Sequence, residues 1–167
     1  MRGRIYSSGF SLVEVLIAII LVGLAVVCLV AANNSFTQAN AAGTELSTAE
    51  FLSEQIRELT MLLPVVDPET EMSTFGPEGN ETTLSAYDDL DDFDGAVFSP
   101  PINAERGVLN EFAAYSQQVT VENVSAANFE QVVADHGSYF VRVTVKVFLN
   151  SRQITSLDWV RAWYEEQ

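Results

Sequence analysis

Residues 15–32 read VLIAIILVGLAVVCLVAA, eighteen residues without a charge, twelve of them Leu, Ile or Val. An apolar run of this length is a candidate membrane span. Each of those residues favours insertion at the helix centre by roughly 0.3–0.6 kcal/mol, so the run favours membrane entry by several kcal/mol. Lipid offers no hydrogen-bond partners, so the segment has to be helix, with every backbone N–H and C=O paired internally. The rest of the chain has to be arranged around that helix.

The flanks set its orientation. Arg2 and Arg4 precede the run, and no acid stands before Glu14. The bias of Lys and Arg to the cytoplasmic side predicts a cytoplasmic N terminus and an exported remainder, a single-pass arrangement in the inner membrane. A cleaved secretory signal fits poorly, because the apolar core is too long and no small-x-small site closes it. Val27 stands before Cys28, where a lipoprotein would need a small residue, so Cys28 reads as a lipid-facing or packing residue. Glu14 is the exception in the first turn. It either sits at the interface, favoured by the helix N-terminal dipole, or meets a partner cation.

Composition excludes several functions. Eight Lys and Arg against 23 Asp and Glu leave a net charge of −15. That balance argues against nucleic-acid binding, which depends on neutralising phosphates. One Cys makes neither an internal disulfide nor a Cys-rich zinc site. His136 lies between Asp135 and Gly137 and reads as a turn residue. No nucleophile elbow, phosphate loop or zinc spacing occurs, so no catalytic residues are assigned and no enzyme is expected.

The segment Gly9-Phe10-Ser11-Leu12-Val13-Glu14-Val15-Leu16-Ile17-Ala18, with a short basic leader before it and the apolar run after it, resembles the processing motif of type IV pilins and pseudopilins. The resemblance implies cleavage by a prepilin peptidase between Gly9 and Phe10, N-methylation of Phe10, and a role for Glu14 in assembly. It also implies other pilin or pseudopilin subunits and the inner-membrane assembly machinery as partners. The physics of such a motif follows from its spacing. Phe10 and Glu14 are four residues apart and share a helix face. In a filament of packed apolar helices, Glu14 of one subunit can meet the Phe10 ammonium of the next. Either charge buried alone costs several kcal/mol, so the pair acts as a register device.

Beyond Ala32 the sequence is polar yet keeps a helical stripe: Phe36, Ala39, Ala42, Leu46, Ala49, Leu52, Ile56, Leu59 and Leu63. Pro64 ends it, and Leu63 is already disfavoured in helix by the proline that follows. One helix is therefore expected over 10–63, a membrane or filament-core half at 10–32 and an amphipathic half at 33–63. The stripe has to be covered, and a sheet from the same chain is the expected cover. Residues 64–114 hold all five prolines and twelve acids against one base, Arg106, and read as an irregular acidic connection. From 115 the period changes to two. Gln117, Val119 and Val121 alternate with polar residues, Val141 to Leu149 gives the clearest strand, and Ile154 to Trp163 can return antiparallel. A helical turn is expected around Phe129–Val133. Trp159 and Trp163 read as cross-strand packing or as an exposed platform. The fold class is thus α+β: a long N-terminal helix on a small antiparallel sheet, with residues 1–9 as leader and 115–167 as the sheet region.

The centre of the connection is Tyr87-Asp88-Asp89-Leu90-Asp91-Asp92-Phe93-Asp94-Gly95. It reads as a solvated turn anchored by Leu90 and Phe93, or as a calcium loop with Asp89, Asp91, Asp92 and Asp94 as ligands, since Ca²⁺ takes six to eight oxygens. The spacing is not that of an EF-hand. This stretch, followed by Phe98-Ser99-Pro100-Pro101, resembles minor pilins related to the D-type minor pilin of mannose-sensitive haemagglutinin pili. The leading expectation is a minor pilin or pseudopilin, a structural subunit of a type IV pilus or of a type II secretion pseudopilus. The alternative is a single-pass, membrane-anchored extracytoplasmic binding module.

Overall fold

The computed structural model describes residues 9–67, 75–79 and 81–163. Expectations that rest on Arg2 and Arg4, or on Pro68, Glu69 and Glu71 of the connection, lie outside these residues. The chain forms two compact units that divide between Gly43 and Thr44. A single helix, α1 (Leu12–Thr60), contributes to both.

In the first unit, α1 starts two residues later than expected, because Ser11 takes the capping position. Its hydroxyl accepts the Glu14 N–H at 3.3 Å, and its carbonyl accepts the N–H groups of Glu14 and Val15. Ser11 and Glu14 have the spacing of a capping box. From Val15 to Val30 the helix is apolar around its whole circumference, and none of its side chains is buried. The segment is long and apolar enough to cross a membrane, with a mean hydropathy of 3.3 over its best window. A helix apolar on all sides and covered on none requires an apolar surround, lipid or other helices. Phe36, expected in the stripe, is exposed, as are Ala39 and Ala42.

The second unit holds the core. Here the stripe is buried from Ala49 onward: Ala49, Leu52, Ser53, Ile56, Leu59 and Thr60. Its cover is a five-stranded antiparallel sheet, β1 (Val97–Phe98), β2 (Tyr115–Ser125), β3 (Asn128–Val132), β4 (Phe140–Leu149) and β5 (Arg152–Ala162). The order is β1-β2-β4-β5, and β3 pairs with the end of β2. Alternation decides which face goes inward. Val119 and Val121 of β2 lie opposite Val145 and Val143 of β4. Val143 and Val145 lie opposite Trp159 and Leu157 of β5. All four valines are buried against the α1 stripe. Trp159 packs on this core, and Trp163 stacks on Tyr139 at a ring separation of 5.2 Å. The hairpin joining β4 to β5 turns at Asn150 and Ser151, whose φ values of 48° and 67° fit a tight two-residue hairpin loop.

Three details differ from the expectation. The helix ends at Thr60, not Leu63, because the chain tightens there through Met61 N–H to Glu58 and Leu63 N–H to Thr60. The residues around Phe129–Val133 form a strand instead of a helical turn, since β2 offers them a pairing edge through Val124↔Val132. The connection carries structure of its own: β1, a short 3-10 turn at Asp91–Phe93 and another at Asn110–Phe112. Leu90, Phe93 and Ile102 of this connection enter the core.

Candidate functional site

Two places carry the residues singled out by sequence. The first is the helix start. Phe10, Glu14, Val15, Ala18, Ile19 and Val22 line one open, almost wholly apolar groove along the first turns of α1. Phe10, which precedes the Ser11 cap and so lies outside the helix, and Glu14 in the first turn line the same groove. Phe10 is 81% exposed, and Gly9 just before it has open space around its α-carbon. The backbone of Glu14 is held by the Ser11 cap, while its carboxylate has no partner among the described residues. An uncompensated carboxylate on an apolar helix face is a group that a cation on a neighbouring molecule can satisfy. Cys28 is a free thiol on the exposed helix surface.

The second place is the acidic connection. Asp89, Asp91 and Asp92 are buried, at 2%, 4% and 1% exposure, while Asp94 is exposed. The four aspartates do not converge on one point. Asp94 Oδ1 accepts the Val121 N–H at 2.8 Å and ties the loop to β2. Asp91 Oδ2 accepts the Gly76 N–H at 3.0 Å. Asp92 Oδ2 accepts the N–H groups of Asp88 and Asp89 at 2.9 and 3.2 Å, and Asp89 Oδ1 accepts the Asp92 N–H at 3.2 Å. The carboxylates that do gather are those of Glu78, Glu81 and Asp92, each bringing one oxygen within 4.8 Å of the others. Glu81 is buried at 6% exposure, and its Oε2 accepts the Glu78 N–H at 3.0 Å.

Burial pushes the Asp89 carboxyl up to about 9, and the Asp91 carboxylate beside it adds to the rise. Burial also raises Asp92 and Glu81. Arg106, the one base of the connection, does not pair with these acids. Its guanidinium donates to the carbonyls of Leu84 and Tyr87 at 2.8 and 2.6 Å and holds the backbone that leads into the aspartates. Glu78 and Glu81 were not foreseen. They sit three residues apart in a Pro-Glu-Gly turn, eleven or more residues before Asp92, and no local spacing announces that the chain folds back. His136 lies in a turn at φ 58°, its N–H donated to Asn123 Oδ1 and its ring edge-on to Phe75.

Residues 4–30 match the family model of the prokaryotic N-terminal methylation motif. The chain therefore carries the N-terminal motif of type IV pilin-like proteins. Its N terminus is that of a precursor processed by prepilin peptidase, and the motif points to a structural subunit that assembles with other pilin-like subunits. The apolar helix and the motif together fit membrane anchoring. No curated protein and no solved structure matches the chain.

Proposed function

We propose that the protein is a minor pilin or pseudopilin, a non-enzymatic subunit held in the inner membrane with its N terminus cytoplasmic and then drawn into a type IV pilus or a type II secretion pseudopilus. The observation that carries this reading is the joint exposure of Phe10 and Glu14 along one groove at the start of a long apolar helix. Cleavage between Gly9 and Phe10 gives Phe10 a new α-amino group at the membrane edge, and N-methylation leaves that amine basic. Within a filament, Glu14 of one subunit takes the Phe10 ammonium of its neighbour. A wrong axial step would leave both charges unpaired among apolar side chains, at a cost of several kcal/mol.

The N-terminal methylation motif supports the N-terminal half of this reading. The short sheet and the acidic connection favour a minor over a major subunit, because both depart from a plain repeating building block. Glu14→Leu tests the register role. The variant is more apolar, so it inserts and is cleaved normally, yet it is lost from sheared filaments. Normal recovery of Glu14→Leu in sheared filaments would overturn the register role.

A further inference from the structure

Two observations in the acidic connection are independent of one another. The first is convergence. Glu78 and Glu81 come from one turn and Asp92 from another, and their carboxylate oxygens lie within 4.8 Å of one another. Two oxygens on opposite sides of a calcium ion, each at 2.3–2.6 Å from it, are about 4.6–5.2 Å apart. Oxygens gathered within that limit are close enough for one calcium ion to bridge them. Around Mg²⁺, at about 2.0–2.1 Å from each ligand, opposite oxygens are about 4.2 Å apart, and the ion demands near-ideal octahedral geometry.

The second is an unmet oxygen. Asp92 is 1% exposed, and its Oδ1 has no hydrogen-bond partner. Its Oδ2 already takes two backbone N–H groups, so Oδ1 is the oxygen that Asp92 has left to offer. Asp91, 4% exposed, likewise keeps Oδ1 without a partner beside the same turn. A buried carboxylate oxygen without a donor costs the full desolvation of a charged acceptor. A proton on Glu81 can be shared with Asp92, but a single shared proton leaves the other carboxylate oxygens of the group facing one another. A divalent cation satisfies several of these oxygens at once.

We propose that Glu78, Glu81 and Asp92 bind one calcium ion, which fastens the turn at 78–81 to the turn at 88–94. Water fills the remaining positions. Asp94 is not a ligand, because its carboxylate is not among those that gather, and its Oδ1 takes the Val121 N–H. The consequence is structural. The ion orders the connection against the sheet, since Leu90 and Phe93, which the same turn delivers, are fully buried in the core.

The test uses the full chain in detergent, stripped with chelator and titrated calorimetrically with CaCl₂ or MgCl₂ at matched ionic strength. Calcium should bind at one site per chain, and Mg²⁺ at least tenfold more weakly. Glu81→Gln and Asp92→Asn should each weaken calcium binding tenfold or more, while Asp94→Asn should stay within about threefold of the parent. The parent should also melt roughly 10 °C higher at a calcium concentration 100 times Kd than in chelator. Tryptophan fluorescence from Trp159 and Trp163 reports whether each variant is folded. Should Asp92→Asn fail to fold, Glu81→Gln decides, since glutamine keeps an acceptor for the Glu78 N–H. An absence of saturable calcium binding to the folded parent would overturn the site, as would parent-like affinity in folded Glu81→Gln. A Mg²⁺ affinity equal to that for calcium would overturn the calcium assignment.

Discussion

Arg161 Nη1 donates to the carbonyl of Thr60, the last residue of α1, at 2.8 Å, and to that of Leu63 at the same distance. A cation from β5 thus meets the negative end of the helix, where the last carbonyls lack the i+4 partners of the helix interior. Burial holds the Arg161 guanidinium below its ordinary pKa, yet it stays charged at any ordinary pH.

Replacing this side chain removes two hydrogen bonds and the charge at the helix terminus. Arg161→Met should destabilise the folded domain by about 2–3 kcal/mol, read as a lower midpoint in urea with an unchanged slope. Arg161→Lys should recover part of the loss, since an ammonium keeps the charge but not the guanidinium's planar reach. A Met variant as stable as the parent would show that water caps the helix equally well.

Gln117 makes the corresponding link inside the core. It is fully buried. Its amide donates to the carbonyls of Leu52 and Ile102 at 2.8 and 3.1 Å, and its carbonyl accepts the Ile102 N–H at 2.8 Å. Gln117→Leu should cost about 2–4 kcal/mol, because the Ile102 N–H and carbonyl would be left buried and unpaired. Gln117→Glu should also destabilise, since it keeps the acceptor but turns the donor into an oxygen facing two carbonyls. Thermal melting of both variants checks this, and a neutral Gln117→Leu would mean that the 102 segment finds other partners.

Much of this arrangement could be read from the chain beforehand. The period-two runs announced β2, β4 and β5, and the stripe from Ala49 to Leu59 announced the helix face that they cover. What escaped was long-range. Gln117 reads as one more inward residue of a strand, and its link to Leu52 spans 65 positions. Phe129 and Val132 carry no clear period, so their pairing with β2 is decided by the edge that they meet and not by their own propensity. At the candidate sites, Phe10 and Glu14 line one groove although Phe10 stands ahead of the helix, where the four-residue helical spacing does not apply. The gathering of Glu78 and Glu81 with Asp92 did not follow from spacing either, because it depends on how a proline-rich connection folds back.

The buried carboxylates give the domain a pH dependence in the absence of divalent cations. Asp89 titrates near 9 when folded, against an ordinary value of 3.8, and it faces Asp91 and Asp92, both acids. A raised carboxyl favours the folded state in its protonated form. Its contribution is therefore complete below about pH 4 and is lost as pH rises through 9. In chelator the melting temperature of the full chain in detergent should fall between pH 5 and pH 9. Asp89→Asn, which keeps the acceptor for the Asp92 N–H, should flatten that fall and melt above the parent at pH 8. General repulsion in a chain of net charge −15 would act the same way on both proteins, so the difference between them isolates Asp89. Equal slopes for parent and Asp89→Asn would contradict this account.

The central claim is that the exposed apolar helix is a pilin-type assembly segment, made ready by cleavage before Phe10. The most direct measurement is the intact mass and N-terminal sequence of the protein purified from the membrane of cells that make prepilin peptidase. The account predicts a chain that starts at Phe10 with one methyl group on its α-nitrogen, and a longer precursor accumulating for Gly9→Leu. A protein that still starts at Met1 and carries no N-methyl group in those cells would contradict it.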